Sequence, residues 1–222
     1  MLKHGKQILI ASFIIGALFA GATAFAGPLY KIDPELQSEI NQNRAKLVQN
    51  PSAETHFELA MSYTYTGQVE DGWDLLQKIP NYDKDYSSKV IKKYEALSKS
   101  NPKEWKYPFK LAFGYYFSER KREALAQFER ALRLDAGNPW IMGFIALAKG
   151  DLGQLDEAIE LCKQAIKIQP NGTALHFLLA QGFQKKGDYA GFLGETLTVL
   201  RLRSEEAQYN TKNSKNPHRF DN

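Results

Sequence analysis

The residues of this chain that could do chemistry are few and scattered. The four histidines are His4, His56, His176 and His218, and no two stand at a spacing that would place them on one helix face. Cys162 is the only cysteine, so an internal disulfide is excluded. The acid pairs Glu70-Asp71 and Asp156-Glu157 are adjacent residues that open helices, where negative charge complements the helix dipole. No GxGxxG, GK[ST], HExxH, CxxC or nucleophile elbow occurs. No catalytic residue, metal ligand or cofactor is therefore expected. His176 and Cys162 fall in columns that pack, which makes them core residues. Asn171-Gly172-Thr173 fits a glycosylation sequon and an Asn-Gly turn equally well.

The elements around these residues are more informative. Leu111-Ala112, Ile145-Ala146 and Leu179-Ala180 are one two-residue step spaced by 34, and Leu59-Ala60 is a fourth copy 52 residues before the first of them. Four residues after each aliphatic come Tyr63, Tyr115, Lys149 and Phe183, and eight after come Gly67, Glu119, Gly153 and Gly187. Thirteen after come Gly72, Ala124, Ala158 and Phe192. Small residues let two antiparallel helices approach, and the glycines absorb positive φ between them. A fixed period of this length means units that bury their apolar faces by stacking.

These columns resemble the tetratricopeptide repeat. Units are read at 53–86, 105–138, 139–172 and 173–206, although the Trp of the family signature is absent, with Pro108 and Met142 in that column. The resemblance implies an all-α fold, a right-handed superhelix of helical hairpins. The 52-residue step exceeds 34 by 18, and Tyr86, Val90, Tyr94 and Leu97 mark an extra helix at 83–99 that accounts for it. An extra helix breaks the alternation of first and second helices, so a division into two lobes is expected between 80 and 104.

Residues 1–26 read as a secretory signal. Lys3 and Lys6 precede an apolar run from Ile8, and Ala24-Phe25-Ala26 offers a cleavage site. The alternative is an uncleaved N-terminal anchor. Either way the repeats cross a membrane, and an extracytoplasmic or periplasmic location follows. Residues 27–52 hold an N-terminal segment and a helix capped by Asp33 with Pro34 in its first position. Residues 207–222 form a polar tail read as disordered. The net charge of +4, which falls to +2 if Lys3 and Lys6 leave with the signal, is too small to argue for nucleic acid, and no basic stripe with interleaved aromatics occurs.

The resemblance also implies a concave groove on the unused face of the first helices. At about 100° per residue, that face carries Phe57, Met61 and Tyr65 in the first unit, and Lys106, Phe109, Phe113, Tyr116 and Phe117 in the second. Trp140, Leu147 and Asp151 follow in the third, and Phe177, Gln181, Gln184 and Lys185 in the fourth. A stripe this apolar has two readings. It is a docking groove for a protein or peptide, or it is covered by helix 34–49 or 83–99. The family's carboxylate clamp needs Lys and Asn where Phe57, Phe109 and Phe177 stand, so an acidic C-terminal tail is a poor ligand and an apolar or amphipathic segment a better one. The expected function is a non-catalytic adaptor outside the cytoplasmic membrane. The alternative is a permanent subunit of an envelope, secretion or assembly complex, or a homo-oligomer, using the same face. A small-ligand binder or enzyme is the remaining reading. If the groove is open, Phe113→Ala and Tyr116→Ala leave stability intact.

Overall fold

The computed structural model describes residues 29–213, and it describes side chains as far as Tyr209. The expectations for residues 1–26 and for the end of the tail lie outside them. Among the described residues ten α-helices follow one another: α1 Pro34–Gln49, α2 Ala53–Thr64, α3 Val69–Leu76, α4 Tyr86–Ser100, α5 Lys106–Phe117, α6 Lys121–Leu134, α7 Pro139–Asp151, α8 Leu155–Ile168, α9 Thr173–Lys186 and α10 Tyr189–Asn213. The all-helical solenoid read from the sequence is what the chain builds. Helix α10 runs seven residues past Glu206, into the segment read as tail.

Local chemistry sets the boundaries. Asp33 Oδ1 accepts from the Glu35 amide at 2.8 Å, with Pro34 in the first turn of α1. Ser52 and Thr55 form a capping box on α2. Asn138 Oδ1 accepts from the Trp140 and Ile141 amides at 3.0 and 3.2 Å, and Pro139 again takes the first position. The turn column reads as expected: Gly67, Gly153 and Gly187 sit at φ 83°, 82° and 81°, and Glu119 takes the same left-handed conformation at φ 60° without being glycine. Pro80 truncates the first unit, so α3 ends at Leu76 and a short 3-10 turn, Ile79–Asn81, follows.

The extra helix is present, but it does not divide the protein. One apolar core runs from Ile40 in α1 to Ala148 in α7 and includes Val90 and Tyr94 of α4. The expectation of two lobes is corrected. Its physical reason lies in register: Val90, Ile91, Tyr94 and Leu97 stand 34 residues before Ala124, Leu125, Phe128 and Ala131, and 68 before Ala158, Ile159, Cys162 and Ala165. Helix α4 thus occupies a second-helix position ahead of α5. A Cβ on Gly114 of α5 would lie 2.9 Å from Val90 Cγ1 and 3.0 Å from Ile91 Cγ1, just as one on Gly182 of α9 would lie 2.8 Å from Ile159 Cγ1. The glycines are what let these helices meet.

The stack also curls until distant elements touch. The Tyr30 hydroxyl donates to the Thr66 carbonyl at 2.9 Å, and its ring lies 5.0 Å from that of Trp140 at the start of α7. A side chain at Gly67 would overlap both Tyr30 and Trp140. Arg203 of α10 pairs with Glu70 of α3.

Candidate functional site

The inner face of the first helices falls into a sealed half and an open half. In the first two units it is sealed. Phe57, Met61, Tyr65, Phe109, Phe113 and Tyr116 are buried, and so is Trp140. Phe109, Phe113, Phe128 and Phe144 form a cluster in which every pair of rings lies between 5.0 and 5.7 Å. Phe57 packs on Tyr86 and Tyr94 of α4, and Tyr65 on Trp105 and Phe109. An open aromatic groove over these units is therefore corrected to core. The curl brings α2, α5 and α7 together, and bulky rings fill the space that a wider superhelix would leave to solvent. Helices α1 and α4 and the segment at Tyr30 complete the cover, as the second of the two readings has it.

Charged groups, of which Lys110 is buried and most others half-buried, clasp this sealed half. Lys106 Nζ donates to Glu39 Oε2 of α1 at 2.5 Å and lies over the Tyr65 ring, while Tyr65 donates its hydroxyl proton to the same carboxylate. Glu58 accepts from Lys110 at 2.7 Å, from Lys93 at 3.1 Å and from the Tyr94 hydroxyl. Burial works against its ionisation, but the Lys110 ammonium and these hydrogen bonds outweigh it and hold its carboxyl at about 2. Near the end of α5, Tyr116 donates to Asp151 Oδ2 at 2.6 Å, and Lys121 and Lys185 each reach Asp151 at 3.4 Å. Burial, then the Asp151 charge, pushes the Tyr116 hydroxyl well above its usual range.

The open half belongs to the third and fourth units. Gln184 and Lys185 are exposed there, and Leu147, Phe177 and Gln181 are half-buried; in the second unit Phe117, at the end of α5, is the exception to the seal at 39% exposed. Leu147, Gln181 and Lys185 come together with Gly150, Leu155, Cys162 and Leu178 around a small, shallow cleft between α7, α8 and α9 that is open to solvent. Its walls are mostly apolar, and Lys185, whose ammonium reaches Asp151, is the charged residue on the lining. Cys162 is buried in one wall, and burial first, then the Glu195 charge, raises its thiol to about 12. His176 is buried between two acceptors, with Nδ1 2.6 Å from Glu195 Oε2 and Nε2 2.9 Å from the Pro170 carbonyl. It ties α9 to α10. Among the described residues, no group of three His, Cys, Asp or Glu side chains converges in the manner of a metal site.

Residues 120–182, spanning α6 to α9, match the sequence profile of the tetratricopeptide repeat. Over these residues the chain carries tetratricopeptide repeats. Helical hairpins of this family, stacked as they are here, build surfaces for protein–protein interaction. The bovine (Bos taurus) BBSome complex member BBS4 is 34% identical over 114 residues, which is 49% of this chain and 21% of that one. The chain thus spans about a fifth of the length of the curated relative it matches. Two solved structures share the repeat architecture. A crystal structure of MamA superposes with a TM-score of 0.51 at 16% identity, over 81% of this chain and 100% of that one. MamA from residue 41 to its end, from Desulfovibrio magneticus RS-1, gives 0.53 at 14% identity, over 79% and 98%. At these identities the likeness is one of fold.

Sequence reasoning missed a second surface. Along the outside of α10, Tyr189, Leu193, Leu197 and Leu200 are exposed. The signal was available: Ile91, Leu125, Ile159 and Leu193 form a 34-residue column of their own.

Proposed function

We propose that this protein is an exported, non-catalytic adaptor that docks an apolar or amphipathic segment of a partner in the open half of its inner face. The observation that carries the proposal is the cleft between α7, α8 and α9, where Leu147, Gln181 and Lys185, all on the groove face read from the sequence, converge. Apolar walls with one ammonium suit a segment with an apolar stripe and a flanking carboxylate. Export rests on residues 1–26, whose basic start, apolar run and Ala24-Phe25-Ala26 have the order of a cleavable signal.

The docking claim is tested by affinity capture from the envelope fraction of the native organism. Gln181→Trp fills the cleft and Lys185→Glu reverses its charge. Each is expected to reduce recovery of the captured partner at least tenfold while the melting temperature stays within a few degrees. Recovery unchanged by both variants would place the partner elsewhere. Mass analysis of the exported protein is expected to show an N-terminus at Gly27, and an intact residue 1 there would show an anchored form instead.

A further inference from the structure

We propose that the outward stripe of α10 receives a helix from a partner chain, seated as the first helix of a further unit and carrying an aliphatic residue, Ala, any residue, then Gly or Ala. This surface is separate from the cleft between α7, α8 and α9, and either proposal can fail without the other. The stripe is formed by Tyr189, 73% exposed, Leu193 and Leu197, each 58% exposed, and Leu200. At 100° per residue these four fall within one quadrant, opposite the face that buries Val199 and Leu202.

The occupant follows from the chain's own interfaces. Ile159 of α8 lies 20 residues before Leu179 and meets Gly182 of the next first helix, three residues after that leucine. Ile91 of α4 lies 20 residues before Leu111 and meets Gly114, again three residues after the leucine. Leu193 is the next residue in that column, and no first helix follows it among the described residues. The partner's small residue would face Leu193 as Gly182 faces Ile159.

The stripe is also wider than the repeat requires. In the column of Leu197, the other second helices carry Glu95, Glu129 and Lys163, where α10 carries leucine. In the column of Tyr189 they carry Ser87, Lys121 and Leu155. At Leu197 a charged position has become apolar, and a contiguous exposed apolar patch marks an interaction site.

A folded second copy does not offer the recurring small residue of its own first helices. The small-residue faces of its first helices are already taken: Ser62 of α2 holds Asn43 of α1 at 2.8 Å, Gly114 faces α4, Ala148 is buried in the core, and Gly182 faces α8. The residues after Tyr209 carry Phe220 as their one large apolar side chain, which cannot build the required stripe.

The test uses a labelled peptide of the chain's own ninth helix, residues 173–186, as the stand-in for the partner helix, titrated onto the exported protein. Saturable binding is expected, weakened at least tenfold by Leu193→Glu and equally by Gly182→Leu within the peptide. Leu193→Asn, a milder change at an exposed position, is expected to weaken it less while leaving the circular-dichroism melt unchanged. Three results each overturn the proposal: no binding, binding indifferent to Leu193→Glu, or a dimer in sedimentation equilibrium that Leu193→Glu dissociates. The last would assign the stripe to a second copy.

Discussion

Lys110 Nζ donates to Glu58 Oε2 at 2.7 Å, joining α2 to α5 with α4 alongside them. The Lys110 side chain is only 9% exposed, so its ammonium depends on this carboxylate for compensation. Lys93 and the Tyr94 hydroxyl, both from α4, reach the same Glu58. Three helices are thus tied at one charged centre beside the aromatic core.

Glu58→Gln is expected to lower unfolding stability by about 3 kcal/mol, because it leaves a buried ammonium without its counter-charge. The wild-type contribution depends on pH in a defined direction. Its folded carboxyl is held below the ordinary value of 4.5, at about 2. The stabilisation is therefore complete above about 4.5 and is lost as pH falls through about 2. Urea unfolding followed at pH 7 and pH 3 measures it, and Glu58→Gln is expected to flatten that part of the profile.

Phe109→Ala and Phe113→Ala are each expected to cost about 3–5 kcal/mol, because each opens a cavity inside a cluster of four phenylalanines. Thermal melts check this. An unchanged melting temperature would return these rings to a solvent-facing groove.

Two glycines should respond with opposite sign. Gly114→Ala gains helix propensity but pushes a methyl to 2.9 Å from Val90 Cγ1 and 3.2 Å from the Ile91 backbone nitrogen, so a net loss of about 1 kcal/mol or more is expected. Gly194 on α10 has nothing within 4 Å of a built Cβ, and Gly194→Ala is expected to gain about 0.5–1 kcal/mol. Chemical denaturation of the two variants in parallel reads both.

Cys162 is expected to resist maleimide in the folded protein and to label at the rate of an ordinary thiol once unfolded. Burial keeps it in the thiol form, with its ionisation pushed to about 12. The labelling rate against urea should follow the unfolding curve. Rapid labelling in native buffer would show that the wall of the cleft opens.

The helical hairpins were legible because their determinants are local and periodic. Leu59, Leu111, Ile145 and Leu179 set the register, and the turn column takes positive φ even at Glu119. The extent of the curl was not legible, since it depends on contacts such as Tyr30 with Trp140, separated by 110 residues. A helical projection treats each first helix alone, so it placed Phe109 and Phe113 on an exposed face that the neighbouring helices then covered. At Leu147, Gln181 and Lys185 fewer elements follow, and these side chains stay half-buried or exposed. The register of α4 was written in Ile91, Leu125 and Ile159. It was hidden by anchoring the repeat on the first helices, whose spacing the truncated α3 disturbs.

The contact of Arg203 with Glu70 bridges 133 residues of chain, and Tyr30 with Trp140 closes the same circuit. A stack with two free ends frays unit by unit, because each unit leans only on its neighbours. With these contacts in place, opening the first unit or α10 costs more than the packing on its immediate neighbour, although the outward stripe of α10 stays uncovered. Unfolding then approaches a single cooperative event, and amide exchange in α3 and α10 should slow toward that of α5 and α7. Such long-range closure also raises contact order, so the last folding step is the slow meeting of the two ends.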